Sequence, residues 1–338
     1  MDFKDFTLGK NDDNRRLDKV IRIFAASLSL SELYKYLRKG LIKVNGKKAK
    51  PETKVFEKDK ISIASFIIEK NLSDKNALYS DINAFCPASA LSSAVSLPSL
   101  SVVFENAHIL IIDKPYDIAV HGKSDSLDKA AEVYYKEKKK DASLSFKPGP
   151  LHRLDRKTTG LLCFSMSLEG ARWFSQNIKT HQIQKKYAAL VCGKLLKSER
   201  WEDEIKKIDD NKSFKTVDAK NSDLSSEAGS GYKKAVTIVS PAGYGKYEGQ
   251  DVTLVYFDIK TGRTHQIRAQ SALHQHPLLG DTAYGGKKIK GKRDFYLTAC
   301  QLSFPEENPL GLPSLVKLPF PEDFKNILTS CFIKDFGL

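Results

Sequence analysis

Cysteine is scarce in this chain and scattered. Cys86, Cys163, Cys192, Cys300 and Cys331 are odd in number and widely spaced, which excludes a disulfide framework and any CxxC zinc or redox pair. Glycine-rich phosphate loops are missing too: neither a P-loop nor a GxGxxG fingerprint occurs, and HExxH is absent. His274 and His276 flank Gln275, and they read as loop histidines rather than as chelators. Long apolar runs are also lacking. The one extended uncharged stretch, Ile82 to Phe104, has Ser, Asn or Pro at 9 of its 23 positions. It therefore reads as a linker and not as a membrane span. The opening MDFKDFTLGK has no apolar core of a secretory signal. A reducing cytoplasm is the expected compartment, with no membrane contact and a monomer as the default.

Acidic residues are outnumbered, 41 against 55 basic ones, leaving a net charge of +14. Such a balance suits a polyanionic partner. Apolar residues make up 41% of 338 positions, enough for two unequal domains with real cores. The charge is concentrated: residues 15–60 hold 14 basic and 5 acidic residues, or +9 of the +14. In this segment Leu17, Val20, Ile21 and Phe24 fall on one helical face. Ser31 is a candidate N-cap for a second helix, Glu32 to Lys39, closed by Gly40. Asn45-Gly46 between two short strands predicts a tight hairpin. Two helices and a hairpin would gather Arg38, Lys39, Lys43, Lys47, Lys48 and Lys50 into a phosphate-binding cluster.

The texture changes at Ser101. Strands are predicted at 102–104, 109–112, 161–165, 187–191, 235–240, 252–259 and 296–304, with helices near 129–139, 169–177 and 266–274. This pattern predicts an α+β fold with a mixed sheet. The polar stretch Glu202 to Ser230 reads as a loop-rich insertion. Residues 1–14 read as a polar tail, 15–68 as a small α/β domain, 69–100 as a linker and 101–338 as the main domain.

Two constellations carry chemistry. In the first, Leu151-His152-Arg153-Leu154-Asp155-Arg156-Lys157-Thr158-Thr159-Gly160, one carboxylate sits among three cations and a histidine. The cations favour its anionic form, which suits a nucleophile or general base. The second is Thr261-Gly262-Arg263-Thr264-His265-Gln266-Ile267-Arg268. Gly262 permits a sharp turn after a strand, Thr264 is a candidate cap, and the helix that follows can present Arg268 to a carboxylate elsewhere. A hydrolase using Asp155 with His152 or His265 would need a metal cluster or a base–orienter pair, and no carboxylate cluster is visible.

These motifs, in this order, resemble the RluA family of pseudouridine synthases, closest to its RluC and RluD branch, over about Ser101 to Phe320. The resemblance runs from Phe104-Glu105-Asn106 through Asp113-Lys114-Pro115, His152–Asp155, Lys185–Val191 and Thr261–Arg268 to Gly280-Asp281 and Tyr284-Gly285. Residues from Arg15 to Ser65 resemble the small RNA-binding module of ribosomal protein S-four. The resemblance implies a catalytic domain with a mixed, mainly antiparallel sheet behind that module. It implies isomerisation of uridine in large-subunit (23S) rRNA, free or in an assembly intermediate, with no cofactor and no metal. A tRNA-directed synthase and a non-catalytic RNA-binding relative are the alternatives. The implied roles are Asp155 as nucleophile and Tyr187 stacked on the uracil. Arg268 would be salt-bridged to Asp155, Arg153 would enter the vacated RNA stack, and Leu297 would lie beneath the base. Arg38, Lys39, Lys43 and Lys47 would hold RNA phosphates. Thr159 and Thr298 depart from the family's usual serine and histidine.

Overall fold

The computed structural model describes residues 2–70, 97–138, 143–207, 214–218, 232–290 and 293–332. The N-terminal lobe is built on a four-stranded antiparallel sheet, in the order Phe3–Thr7, Lys60–Ala64, Ile42–Val44, Lys47–Lys48. Helices Leu17–Phe24 and Leu30–Lys39 bury Leu17, Val20, Ile21, Leu33 and Leu37 against Ile42, Ile61 and Ile63. The second helix is capped by Ser29 rather than Ser31. Ser29 Oγ accepts the Glu32 amide and Glu32 Oε2 accepts the Ser29 amide in return, a reciprocal pairing that only the spacing Ser-x-x-Glu allows. Gly40 ends the helix at φ 69°. Asn45 and Gly46 turn the hairpin at φ 49° and 76°, pairing Val44 with Lys47. Two positive φ values in succession are what such a turn demands.

The expected polar tail is instead part of this lobe. Phe3–Thr7 pairs with Lys60–Ala64 along its whole length, and Phe6 packs on Phe24 with ring centroids 4.9 Å apart. Two phenylalanines among Asp and Lys are enough apolar surface for an edge strand, yet too few to stand out in composition. The linker assigned to 69–100 falls mainly on residues 71–96, outside the described residues. Among the described residues, no helix is long and apolar enough to cross a membrane.

The large lobe is a ten-stranded mixed sheet. Its order is Phe214–Asp218, Glu199–Lys207, Lys233–Tyr247, Gln250–Ile259, Gln184–Cys192, Leu297–Ser303, Thr159–Ser165, Ile109–Lys114, Ser101–Glu105, with Leu315–Lys317 beside Leu297–Ser303. Among the described residues, only the contact of Leu297–Ser303 with Thr159–Ser165 is parallel. Alternate residues feed two cores. Leu110, Ile112, Leu162 and Phe164 face Tyr187, Ala189 and Phe257 on one side. Ile109, Ile111, Leu161 and Cys163 pack with Phe174 on the other. This is the period of two expected of strands buried on both faces.

The predicted loop at 202–230 is corrected in its first part. Glu199–Lys207 is a full strand paired with Lys233–Tyr247, and Phe214–Asp218 adds an edge. Trp201, Asp203 and Ile205 are buried while charged residues alternate with them, so the strand hides in a polar composition. Asp203 can be buried because Gln270 Nε2 donates to it at 2.6 Å and His274, stacked on Trp201, lies at 3.1 Å. His276 Nδ1 instead meets the Cys192 carbonyl oxygen at 2.9 Å, so the two histidines serve separate structural contacts. Residues 208–213 and 219–231 of this stretch lie outside the described residues.

The two lobes are joined by a buried polar plug. Asp12 is fully buried and accepts hydrogen bonds from Ser143 Oγ (2.6 Å), the Leu144 and Ser145 amides (3.2 and 3.1 Å) and Ser145 Oγ. Arg15 donates to Ser145 Oγ at 2.7 Å, and Asn11 Oδ1 accepts the Leu168 amide at 2.9 Å. Removing the carboxylate strands several buried donors, each worth about 1–3 kcal/mol. Asp12→Ala is therefore expected to destabilise the chain by about 2–4 kcal/mol. It should also release the N-terminal lobe to proteolysis before the large sheet unfolds, which thermal melts and limited trypsinolysis would read out.

Candidate active site

Asp155 lies on the loop that leads into the strand Thr159–Ser165. The loop is stapled from below by Lys114, the last residue of an apolar strand. Its Nζ donates to the Arg156 carbonyl oxygen at 2.7 Å and to the Pro115 carbonyl oxygen at 2.8 Å. The Thr158 amide closes a turn onto the Asp155 carbonyl oxygen at 3.0 Å, and Arg156 reaches Asp117. Burial pushes the Lys114 ammonium down to about 7, against the pull of Asp155. Lys114 supports the loop without lining the pocket itself, a role not assigned to it from sequence.

Gly160, at φ 102°, follows. A Cβ there would lie 2.3 Å from the Ala299 carbonyl oxygen, so only glycine lets the two parallel strands approach. That approach sets Leu297, 3% exposed, into the wall beside Asp155. Thr159 keeps the hydroxyl in use, donating to the Leu297 carbonyl oxygen at 3.4 Å.

Tyr187 stands on the neighbouring strand, just past a register shift at Lys186. It is 5% exposed and lines the same pocket. Burial first, then the Asp155 charge, pushes its phenol well above the ordinary range, so the ring stands in the pocket as a neutral phenol.

The helix Gln266–Leu273 supplies the opposite wall. Thr264 does not cap it. The residue before the helix is His265, at φ 55° and ψ 21°, a left-handed conformation uncommon outside glycine and asparagine and often found at functional sites. His265 Nδ1 meets Tyr284 Oη at 3.0 Å, and its Nε2 lies 3.9 Å from Asp155 Oδ2. Burial depresses its pKa, opposed by Asp155.

The expected Arg268–Asp155 salt bridge is replaced by a bidentate pair with Asp281. Arg268 Nε and Nη2 donate to Asp281 Oδ2 and Oδ1 at 2.6 and 2.7 Å. The guanidinium lies 4.7 Å from the ring centroids of both Tyr284 and Phe295. The chain after the helix doubles back through Leu278 and Leu279, both buried, and carries Asp281 into the interior, where a carboxylate requires a full partner. Asp155 remains half-exposed and within electrostatic reach of Arg268. Asp281 stood in the sequence as a lone acid in an apolar turn, a signal for a buried pair.

Asp155, Arg153, Tyr187, Arg268 and Leu297 all line one pocket of about 330 Å³. Arg153 is exposed at its rim. His152 lines it as well, but as structure. Its Nε2 accepts the Cys163 amide at 3.1 Å, its ring stacks on Phe174, and burial pushes its pKa down to about 3. An imidazole so fixed is a poor general base at neutral pH. The basic residues of the N-terminal lobe lie elsewhere, on that lobe's own surface. Arg38, Lys39 and Lys47 are exposed, while Lys43 is half-buried with its ammonium 4.4 Å over the Phe3 ring. None of these four makes an ion pair among the described residues.

Among known proteins, residues 108–273 match the family described as RNA pseudouridylate synthase, and residues 15–61 match the S4 domain. The tRNA pseudouridine synthase C of Haemophilus ducreyi is 31% identical over 186 residues, 55% of this chain and 74% of that protein. The ribosomal large subunit pseudouridine synthase D of Vibrio parahaemolyticus is 28% identical over 285 residues, 84% of this chain and 75% of its own. A solved structure, human RNA Pseudouridylate Synthase Domain Containing 4, shares the fold with a TM-score of 0.54 at 20% identity, covering 70% of this chain and 95% of that one. A carboxylate, a buried tyrosine, an arginine and a leucine on four separate elements thus converge where sequence likeness places the family's motifs, and the chain belongs to the RNA pseudouridylate synthase family, whose members are isomerases, with an S4 domain ahead of the catalytic sheet.

Proposed function

We propose that this protein isomerises uridine to pseudouridine in large-subunit ribosomal RNA, free or within an assembly intermediate, with Asp155 as the nucleophile. It does so in the cytoplasm as a monomer. The observation that carries the reading is the convergence of Asp155, Tyr187, Arg268 and Leu297 on one pocket. The reaction breaks the N1–C1′ bond and forms C5–C1′. C5 loses a proton and N1 gains one, so no electron or group is imported. A half-exposed carboxylate at the pocket floor is available for attack. Tyr187 and Leu297 offer an aromatic ring and an apolar wall for the uracil. Arg153, at the rim, enters the stack that the base leaves, offsetting an unstacking cost of a few kcal/mol. Arg268, fixed by Asp281, holds positive potential beside the carboxylate without surrendering its own partner.

The substrate reading rests on the N-terminal lobe and on relatives named for the ribosomal large subunit. A tRNA substrate is the second reading, favoured by the relative named as a tRNA synthase. Tritium release from RNA labelled at uridine C5 separates them. Release from unmodified large-subunit rRNA is expected, and release from tRNA alone would overturn the substrate.

In the same assay Asp155→Asn should lower turnover at least 10⁴-fold, taking a lost covalent nucleophile as roughly that large, with RNA affinity within about threefold of wild type. Parallel loss of binding would remove Asp155 from the chemistry. Replacing Arg38, Lys39 and Lys47 together by Gln should weaken rRNA binding and lower the slope of log affinity against log salt by about 2 to 3, close to one per phosphate contact. Filter binding across a salt series would show it, and an unchanged slope would leave that surface as mere solvated charge.

A further inference from the structure

The pocket of about 330 Å³ is lined by cationic groups that the reading above does not use. Lys185 stands two residues before Tyr187 on the same strand, about 6–7 Å away along it, and both side chains line the cavity. The Lys185 ammonium makes no hydrogen bond or ion pair among the described residues. Desolvation is the main influence on its ammonium and depresses its pKa. Beside it, the His152 ring has a buried Nδ1 with no partner, and this nitrogen carries the proton because Nε2 accepts the Cys163 amide. Lys185 and His152 thus both line the cavity, close enough for the lysine charge to act on the imidazole. Apart from Asp155, no acidic residue lines the pocket.

Gly262 points the same way. It does not adopt a positive φ, so the backbone does not require glycine there. A Cβ on it would sit 3.8 Å from Lys185 Nζ. The missing side chain keeps the space over the ammonium open. Lys260 and Arg263 flank this turn, but both are engaged. Lys260 Nζ is paired with Asp258 at 2.5 Å, and Arg263 Nε donates to the Lys234 carbonyl oxygen at 2.9 Å. Of these three cations, Lys185 is the one without a partner among the described residues.

Resting on the isomerase reading above, we propose that Lys185 and the His152 Nδ1–H form a subsite for the RNA backbone phosphodiester adjacent to the flipped uridine. An anion there gives the ammonium its missing counter-charge and the imidazole its missing acceptor. With Tyr187 against the base and Lys185 on the phosphate, one strand grips a nucleotide at both ends, leaving the glycosidic bond between them above Asp155. Lys185 is a binding residue and takes no part in bond making.

The test uses the full chain and C5-tritiated large-subunit rRNA, with KM and kcat measured over a salt series for wild type, Lys185→Met and Lys185→Arg. Lys185→Met should raise KM about tenfold, as expected for one charge-assisted contact. It should also lower the salt slope by about 0.7, the value for one contact to single-stranded RNA, with the loss falling on KM rather than kcat. Lys185→Arg should recover most of the affinity. Methionine removes a buried charge while keeping the apolar stem, so a thermal midpoint at or above wild type is expected, and it separates lost binding from lost folding. A Lys185→Met enzyme with wild-type KM and slope, or a loss confined to kcat, overturns the subsite. Absence of release by wild type from any RNA removes the isomerase reading itself, and the subsite with it.

Discussion

The site depends on a guanidinium held where solvent cannot serve it. Arg268 is buried between two aromatic rings, and such a charge is tolerated only with a carboxylate in bidentate reach. Asp281 meets that need at 2.6 and 2.7 Å. The same pair ties the turn 278–285 to the helix Gln266–Leu273, and so brings Tyr284 up to His265. His265 in turn is held in a left-handed conformation with its ring edge 3.9 Å from Asp155. Breaking the pair would leave a buried charge and free both walls of the pocket. The division of labour follows: Asp281 is spent on structure, and Asp155 is left uncommitted for substrate.

A second constraint acts from the other side of Asp155. The parallel approach of Thr159–Ser165 and Leu297–Ser303 is possible only because Gly160 has no side chain. It sets Leu297 beside the loop while Lys114 pins that loop through two carbonyls. A charged lysine bound to neutral carbonyls inside a protein is costly, and the depression of its pKa to about 7 expresses that cost. Asp155 first, then Asp117, opposes the shift. The Asp155 loop and its supporting lysine are therefore electrostatically linked, although they share no direct ion pair among the described residues.

Much of this was readable from local pattern. Asn45-Gly46 demanded a hairpin, the apolar runs at 109–112, 161–165 and 187–191 demanded buried strands, and the motifs around Asp155, Tyr187 and Arg268 pointed to one pocket. What escaped was set by tertiary partners. Whether Arg268 pairs with Asp155 or Asp281 depends on how a turn folds back, and no spacing rule fixes that. The stretch from Glu202 onward looked like a loop because the inward positions of its strand include Asp203, an acid acceptable in a core only beside Gln270 and His274. Phe3–Thr7 looked like a tail because an edge strand needs apolar residues on one face only. Ser31 is the natural cap when Glu32 starts the helix, and Ser29 takes its place because Glu32 is the returning half of a capping box.

The Asp12 plug gives the uneven charge distribution its consequence. Most of the net charge lies on residues 15–60, on a lobe of its own. A flexible tether would make that charge a local concentrating device with no control over which uridine reaches the pocket. Asp12, Arg15 and Asn11 instead lock the lobe to 143–145 and 168 through buried hydrogen bonds. The basic surface and the pocket are then held at a set separation, which on the function proposed above would act as a ruler along the RNA. Long-range attraction by the lobe is screened within about 10 Å at ordinary salt and reads no sequence. A fixed distance between phosphate contacts and a base pocket, by contrast, selects those uridines whose surrounding fold presents backbone and base at the matching separation, so target choice can arise from shape without any side chain reading a neighbouring base.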